Sequence, residues 1–151
     1  MTHISELIAE ARNGARNFPR CSTEQALVYS CERVASRHVP LRELTRRDVE
    51  SIVEDICLVE DIDIPFIQFA RRTGRCTAWA DRTTHTIGFL RRNPLLDDVI
   101  HEISHLVSCF DGHDEVFRST LVRLGRRHAG VEWASLLHHL YVGVGLEQAG
   151  W

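Results

Sequence analysis

Two histidines one helical turn apart, with a glutamate directly after the first, are the residues whose spacing could do chemistry. They are His101, Glu102 and His105, in the segment His-Glu-Ile-Ser-His. On an α-helix, residues four apart are separated by about 6 Å along the axis and about 40° around it, so both imidazoles project from one face. Two such imidazoles can bind one tetrahedral Zn²⁺. The glutamate can reach a metal-bound water without binding the metal and can remove its proton.

A third ligand is needed before this pattern describes a catalytic site. Catalytic zinc has three protein ligands and a water, whereas a fourth protein ligand closes the site. His113 is the favoured candidate because it follows Asp-Gly, where a helix can end and the chain can turn back. Imidazole ligands also favour zinc over other divalent ions. Nearby or more distant acids remain alternatives: Asp111, Asp114, Glu115 and Glu132.

The histidine pair requires a helix, and the residues around it predict one. Asn93 followed by Pro94 is typical of an N-cap and a first helical position. Asp97 and Asp98 suit the positive end of the helix dipole. Apolar residues recur at helical spacing through 100–110, and an Asp-Gly pair then ends the pattern.

The remaining elements are predicted from periodicity and capping residues. Three helices precede the sheet: one ends near Gly14, one is capped by Ser22 or Thr23, and one starts at Thr45. Three short strands over 64–71, 76–80 and 85–90 predict an antiparallel meander, with Thr73-Gly74 in a turn. Two more helices follow, from Asp114 and over 131–148. Helices, then a sheet, then helices predict an α+β fold.

Composition narrows the class of protein. The chain has 151 residues, a length that predicts one domain over 1–151. It has 18 arginines, no lysine and a net charge of −3, and this slightly acidic balance argues against a nucleic-acid partner. It has no apolar run long enough to cross a membrane and no signal-peptide pattern. Five cysteines without a CxxC pair argue against a disulfide framework or a cysteine-only zinc site, and favour a reducing, cytoplasmic location.

Other polar residues have simpler interpretations. His85 lies at a strand start and is expected at the surface, and His138 and His139 are expected at the surface or core edge of the last helix. Tyr141 and Arg118 could stabilise an oxyanion, but nothing local singles them out, so packing or solvation is favoured. The paired arginines are interpreted as solvated faces rather than as a nucleic-acid track.

The segment HEISHLVSCFDGHDEVF resembles zincin-type metallohydrolases, whose pattern is HExxH, a short spacer and Gly-His-x-x-x-Phe. SprT-like metalloproteases share such a pattern, and a small family of uncharacterised bacterial metallohydrolases is closer in length. The resemblance covers roughly 87–124. It implies a minimal zincin-like fold with N-terminal helices, a small antiparallel three-stranded sheet, an active-site helix and C-terminal helices. It also implies His101, His105 and His113 as metal ligands, Glu102 as general base and Phe117 as a packing residue.

The resemblance further implies that a peptide substrate pairs with the strand over 84–90 as a sheet edge. One departure is Asp114, which stands where the family often has glycine, and which could orient an imidazole or cap the next helix. SprT-like proteases that act on DNA–protein crosslinks carry a separate DNA-binding or zinc-ribbon part, and this chain has no CxxC.

The predicted function is therefore that of a zinc-dependent metallohydrolase, specifically a peptidase acting on a peptide or protein. Two alternatives stay open: a metal-stabilised, non-catalytic interaction module, and a DNA-associated SprT-like protease. The sequence leaves the substrate, the oxyanion-stabilising residue and the oligomeric state undetermined.

Overall fold

The computed structural model describes residues 1–69 and 77–150, which contain six α-helices and three short strands. This content confirms the predicted α+β class. The turn predicted at Thr73-Gly74 lies outside the described residues. The helices are α1 Ile4–Gly14, α2 Thr23–His38, α3 Arg46–Glu60, α4 Leu96–Ser108, α5 Glu115–His128 and α6 Val131–Val144, and the strands are β1 Phe66–Phe69, β2 Ala78–Asp81 and β3 Thr86–Phe89.

The backbone groups into two compact units. One comprises Met1–Pro40 with Gly112–Trp151, and the other comprises Leu41–Asp111. The first contains α1, α2, α5 and α6, and the second contains α3, the three strands and α4. The prediction of one domain over 1–151 stays a prediction.

In the first unit, α6 is the central helix and packs against α1, α2 and α5. Its apolar side chains Trp133, Leu137 and Tyr141 are fully buried. Each polar atom on these aromatics finds a partner on α2: Trp133 Nε1 donates to Ser36 Oγ at 3.1 Å, and Tyr141 Oη donates to Glu32 at 3.3 Å. Burial raises the pKa of Tyr141 well above its ordinary value. Tyr141 is thus engaged within this helical unit.

Predicted helix starts are confirmed where a side chain caps the helix. Ser22 accepts from the Gln25 amide at 3.2 Å, and Thr45 and Asp48 form the reciprocal capping box that begins α3. Asp114 accepts from the Phe117 amide at 3.0 Å. Asp114 therefore caps α5, which is one of the two roles that the sequence left open.

The predicted start of α4 at Asn93-Pro94 is wrong, because α4 begins at Leu96. The residues before it pair with an extended segment instead. Leu95 forms a β-bridge with Glu43, and the Leu44 amide donates to the Pro94 carbonyl at 2.8 Å. Backbone pairing across these segments satisfies groups that a longer helix would have used internally.

The sheet is mixed, with strand order β1-β3-β2, so the predicted antiparallel arrangement is wrong. β2 and β3 are antiparallel, but β1 runs parallel to β3. The physical reason is burial: every residue of β3 is buried, including Ile87 and Phe89, so β3 takes the centre with a backbone partner on each side. The strand over 84–90 is therefore not a sheet edge, and β1 and β2 are the outer strands of the described sheet.

α4 packs against β2, β3 and α3, and this contact forms the core of the second unit. Of the apolar face predicted over 100–110, the part up to Leu106 is buried, as are the facing side chains of α3, whereas Phe110 lies past the end of α4 and is 42% exposed. The core residues from α4 are Val99, Ile100 and Ile103, and those from α3 are Val49, Val53 and Ile56. No helix in the described part of the chain is long and apolar enough to cross a bilayer.

Gly88 provides a test of this packing. It pairs with Trp79 across the β2–β3 ladder, and a Cβ at position 88 would collide with the Trp79 indole. We expect Gly88→Ala to lower the free energy of unfolding by about 1–3 kcal/mol, because Gly88 is buried and the half-buried indole of Trp79 must move away from the added methyl group. The measurement is the urea midpoint, with Gly150→Ala as the control, since nothing lies within 4 Å of that position. Equal midpoints for the two variants would contradict this packing.

Candidate metal centre

α4 carries His101, Glu102 and His105 on its buried side. Their exposed fractions are 7%, 8% and 7%. The rings of His101 and His105 lie 5.2 Å apart between centroids, at an interplanar angle of 69°. The one-turn spacing thus places the two imidazoles side by side, as the helical geometry predicts.

His113 completes a group of three imidazoles. One nitrogen from each of His101, His105 and His113 can be chosen so that all three atoms lie within 4.8 Å of one another, and all three residues are buried. Distances of this size fit three ligands around one ion, since Zn–N bonds are about 2.0–2.1 Å. Within residues 1–69 and 77–150, no carboxylate or thiol joins this group.

The acidic alternatives for the third ligand therefore have other positions. Asp111 is exposed and forms an ion pair with Arg82 at 3.4 Å, and Asp114 caps α5. Glu115 and Glu132 are exposed in the first turns of α5 and α6.

The chain reversal after α4 orients His105. His105 Nδ1 donates to the Phe110 carbonyl at 2.9 Å, while the Phe110 amide donates to the His105 carbonyl at 3.3 Å. The Cys109 amide donates to the Leu106 carbonyl at 3.3 Å, which completes a Schellman-type helix end. With Nδ1–H donating to the carbonyl, Nε2 carries the ring's lone pair and is the nitrogen that could bind a metal. A carbonyl partner on the second ring nitrogen is typical of metal-binding histidines.

Aromatic rings hold the His113 side chain. Tyr29 of α2 contacts it edge-on at 5.0 Å between centroids, and Phe117 does so at 4.8 Å. Phe117 lies in the first turn of α5 and is fully buried, which agrees with its expected packing role. The contribution of Tyr29 was not predicted, because nothing in the local sequence of α2 links it to a histidine far along the chain.

Arg118 holds the His113 backbone. Its guanidinium donates to the His113 carbonyl at 2.8 Å, to the Glu147 carbonyl at 2.6 Å and to the Glu24 carboxylate at 3.2 Å. The residue is only 3% exposed, so these bonds form where water cannot replace them. Arg118 is thus a positioning residue for His113.

The other histidines lie outside the group of three. His85 Nε2 donates to the Asp63 carbonyl at 2.7 Å, and His139 Nδ1 donates to the Ser135 carbonyl at 2.7 Å. His138 lies beside His139 on α6, and desolvation, with a smaller effect from His139, lowers its pKa.

The donor set fits zinc. All three candidate ligands are imidazoles, which zinc accepts readily, and the second nitrogen of His105 has the carbonyl partner that a ligand needs. Three ligands also leave the fourth position of a tetrahedral ion for a water or a substrate.

The chain has no significant match among protein-family models, curated proteins or solved structures. The assignment of the site therefore depends on its own geometry, and the resemblance to zincin-type metallohydrolases stays a prediction.

Cys109 allows a test of the helix end beside His105. Its φ of 54° lies in the left-handed region, where a Cβ is unfavourable and glycine is preferred. We expect Cys109→Gly to raise the free energy of unfolding by about 0.5–1 kcal/mol. This is the net gain, because glycine relieves the backbone strain but also adds conformational entropy to the unfolded chain. Thermal unfolding is the measurement, with Cys109→Ala as the matched control. A gain of equal size for alanine, or a loss for glycine, would show that the backbone conformation is not the cause.

Proposed function

We propose that this protein is a zinc-dependent hydrolase and acts as a peptidase. His101, His105 and His113 would bind the ion, and Glu102 would act as general base. The observation that carries the proposal is the convergence of three buried imidazoles within 4.8 Å, with a glutamate directly after the first.

The chemistry follows from the residue types. When bound, zinc supplies Lewis acidity, which lowers the pKa of a water and polarises a carbonyl. The Glu102 carboxylate would take a proton from a water as the water oxygen bonds to the scissile carbonyl carbon, and would deliver that proton to the amine nitrogen as the C–N bond breaks, so one side chain would serve first as base and then as acid. The three histidines would hold the ion, and the hydrogen bond from His105 Nδ1 to the Phe110 carbonyl favours the tautomer with the lone pair on Nε2.

The substrate class in this proposal is a peptide or protein, which the resemblance of the His101–Phe117 segment to zincin-type proteases supports. A reducing, cytoplasmic location belongs to the same proposal. The cysteines of the described residues are free thiols, and burial raises the pKa of Cys31 to about 12 and that of Cys57 to about 11. Such thiols are poor nucleophiles and act as apolar core residues.

Metal content tests the ligand assignment. We expect wild-type protein to retain about one zinc per chain after dialysis, and His105→Ala and His113→Ala each to lose it, because two imidazoles bind zinc far more weakly than three. Elemental analysis of the purified variants is the measurement, with His139→Ala as a control that keeps its zinc. Zinc that persists in both ligand variants would contradict the site.

Glu102→Gln tests the role of the base. This variant keeps the shape of the side chain but cannot accept a proton, so we expect full zinc content and a loss of turnover of about 10²–10⁴-fold. Hydrolysis of denatured casein and of a fluorogenic peptide library would be compared between wild type and the variant. Equal turnover in a zinc-loaded Glu102→Gln protein would refute the assignment. Zinc binding without hydrolysis by wild type would favour the non-catalytic interaction module.

A further inference from the structure

The outer edge of β1 is unpaired within the described residues. Among the described strands, β1 pairs only with β3, in parallel, and is therefore an edge strand. The Phe66 amide donates to the His85 carbonyl at 3.0 Å, so the backbone groups of Phe66 and Gln68 face β3. The amides and carbonyls of Ile67 and Phe69 therefore face away from the sheet.

The residues of β1 itself carry no charge that would protect such an edge. The strand reads Phe-Ile-Gln-Phe and contains no charged residue, whereas natural edge strands commonly use charges, bulges or covering segments to prevent pairing with another chain. The residues that lead into it expose large apolar side chains. Ile64 is 58% exposed and Phe66 is 64% exposed. An uncharged edge beside exposed apolar groups is typical of an interaction surface.

Charge at the two ends of β1 indicates which partner fits. Asp61 and Asp63 precede the strand, and the Arg46 guanidinium lies 5.0 Å above the ring of Phe69 at its other end. Arg46 also pairs with Glu50 but remains largely exposed. An antiparallel copy of the same strand would bring the arginine end of one chain to the acidic end of the other. The edge is thus electrostatically complementary to itself.

We propose that β1 pairs with β1 of a second copy of this chain about a two-fold axis, forming one continuous sheet. This proposal is independent of the metal site. Because Ile67 and Phe69 carry the outward backbone groups, the register that satisfies them pairs Ile67 of one copy with Phe69 of the other, and places Gln68 opposite Gln68 on the axis. Phe66 then lies diagonal to Gln68 of the second copy, within reach of an aromatic ring.

Gln68 makes the register testable, since a charge there meets its own copy. Sedimentation of the full-length wild type should show an average mass that rises towards twice that of one chain with concentration. Gln68→Arg and Gln68→Glu should each weaken self-association by at least about tenfold, because like charges meet on the axis. An equimolar mixture of the two variants should restore it. Ser51→Arg, at an exposed position of α3, is the control and should associate as wild type does.

Three results would overturn the proposal. The first is that the wild type sediments with the mass of one chain at every concentration. The second is that Gln68→Arg associates as strongly as the wild type, and the third is that the equimolar mixture of Gln68→Arg and Gln68→Glu fails to associate. If a charged variant does not fold, Gln68→Cys serves instead, with Cys21, Cys76 and Cys109 replaced by serine. Opposed residues of a non-hydrogen-bonded antiparallel pair lie about 4.5 Å apart between Cα atoms, close enough for a disulfide. Oxidation should cross-link Gln68→Cys but not Ser51→Cys in the same background, and equal cross-linking would contradict the register.

Discussion

The chain reversal at the end of α4 is the constraint on which the histidine group depends. A helix that continued past Ser108 would carry position 113 about 12 Å beyond His105 along the axis, too far to share one ion. The left-handed backbone at Cys109 ends the helix, and Phe110 then bonds to both the backbone and the ring of His105. The reversal therefore aims one ligand and also returns the chain so that another can reach it.

The three imidazoles are held by different kinds of contact. His101 and His105 inherit their placement from α4, whose apolar face is fixed against the sheet and α3. His113 lies just before the N-cap of α5 and depends on two aromatic rings and on the buried guanidinium of Arg118. Such contacts restrict the orientation of the His105 and His113 rings, and a metal site needs ligands held in this way.

The sheet shows how burial decides topology when strands are short. The turn over 82–85 joins β2 and β3 as an ordinary hairpin, but nothing local fixes the position of β1. β3 is buried on both faces, and placing it between β1 and β2 satisfies its backbone on both sides. Within the described residues, the same topology leaves the outer edge of β1 unpaired, so that edge is a consequence of where β3 lies.

The sequence by itself determined the α+β class and the capped starts of α2, α3 and α5. It also placed His101 and His105 on one helical face. These features could be predicted because helical periodicity and capping depend only on residues close in sequence. Tertiary structure decided the strand order, the late start of α4 and the partners of His113. Those features depend on pairing between distant segments: Glu43 with Leu95, Tyr29 with His113, and β1 with β3. The hydrogen bond between the Phe110 carbonyl and the His105 ring could not be predicted from the sequence either. Every residue has a carbonyl, and only the path of the backbone shows which one contacts an imidazole.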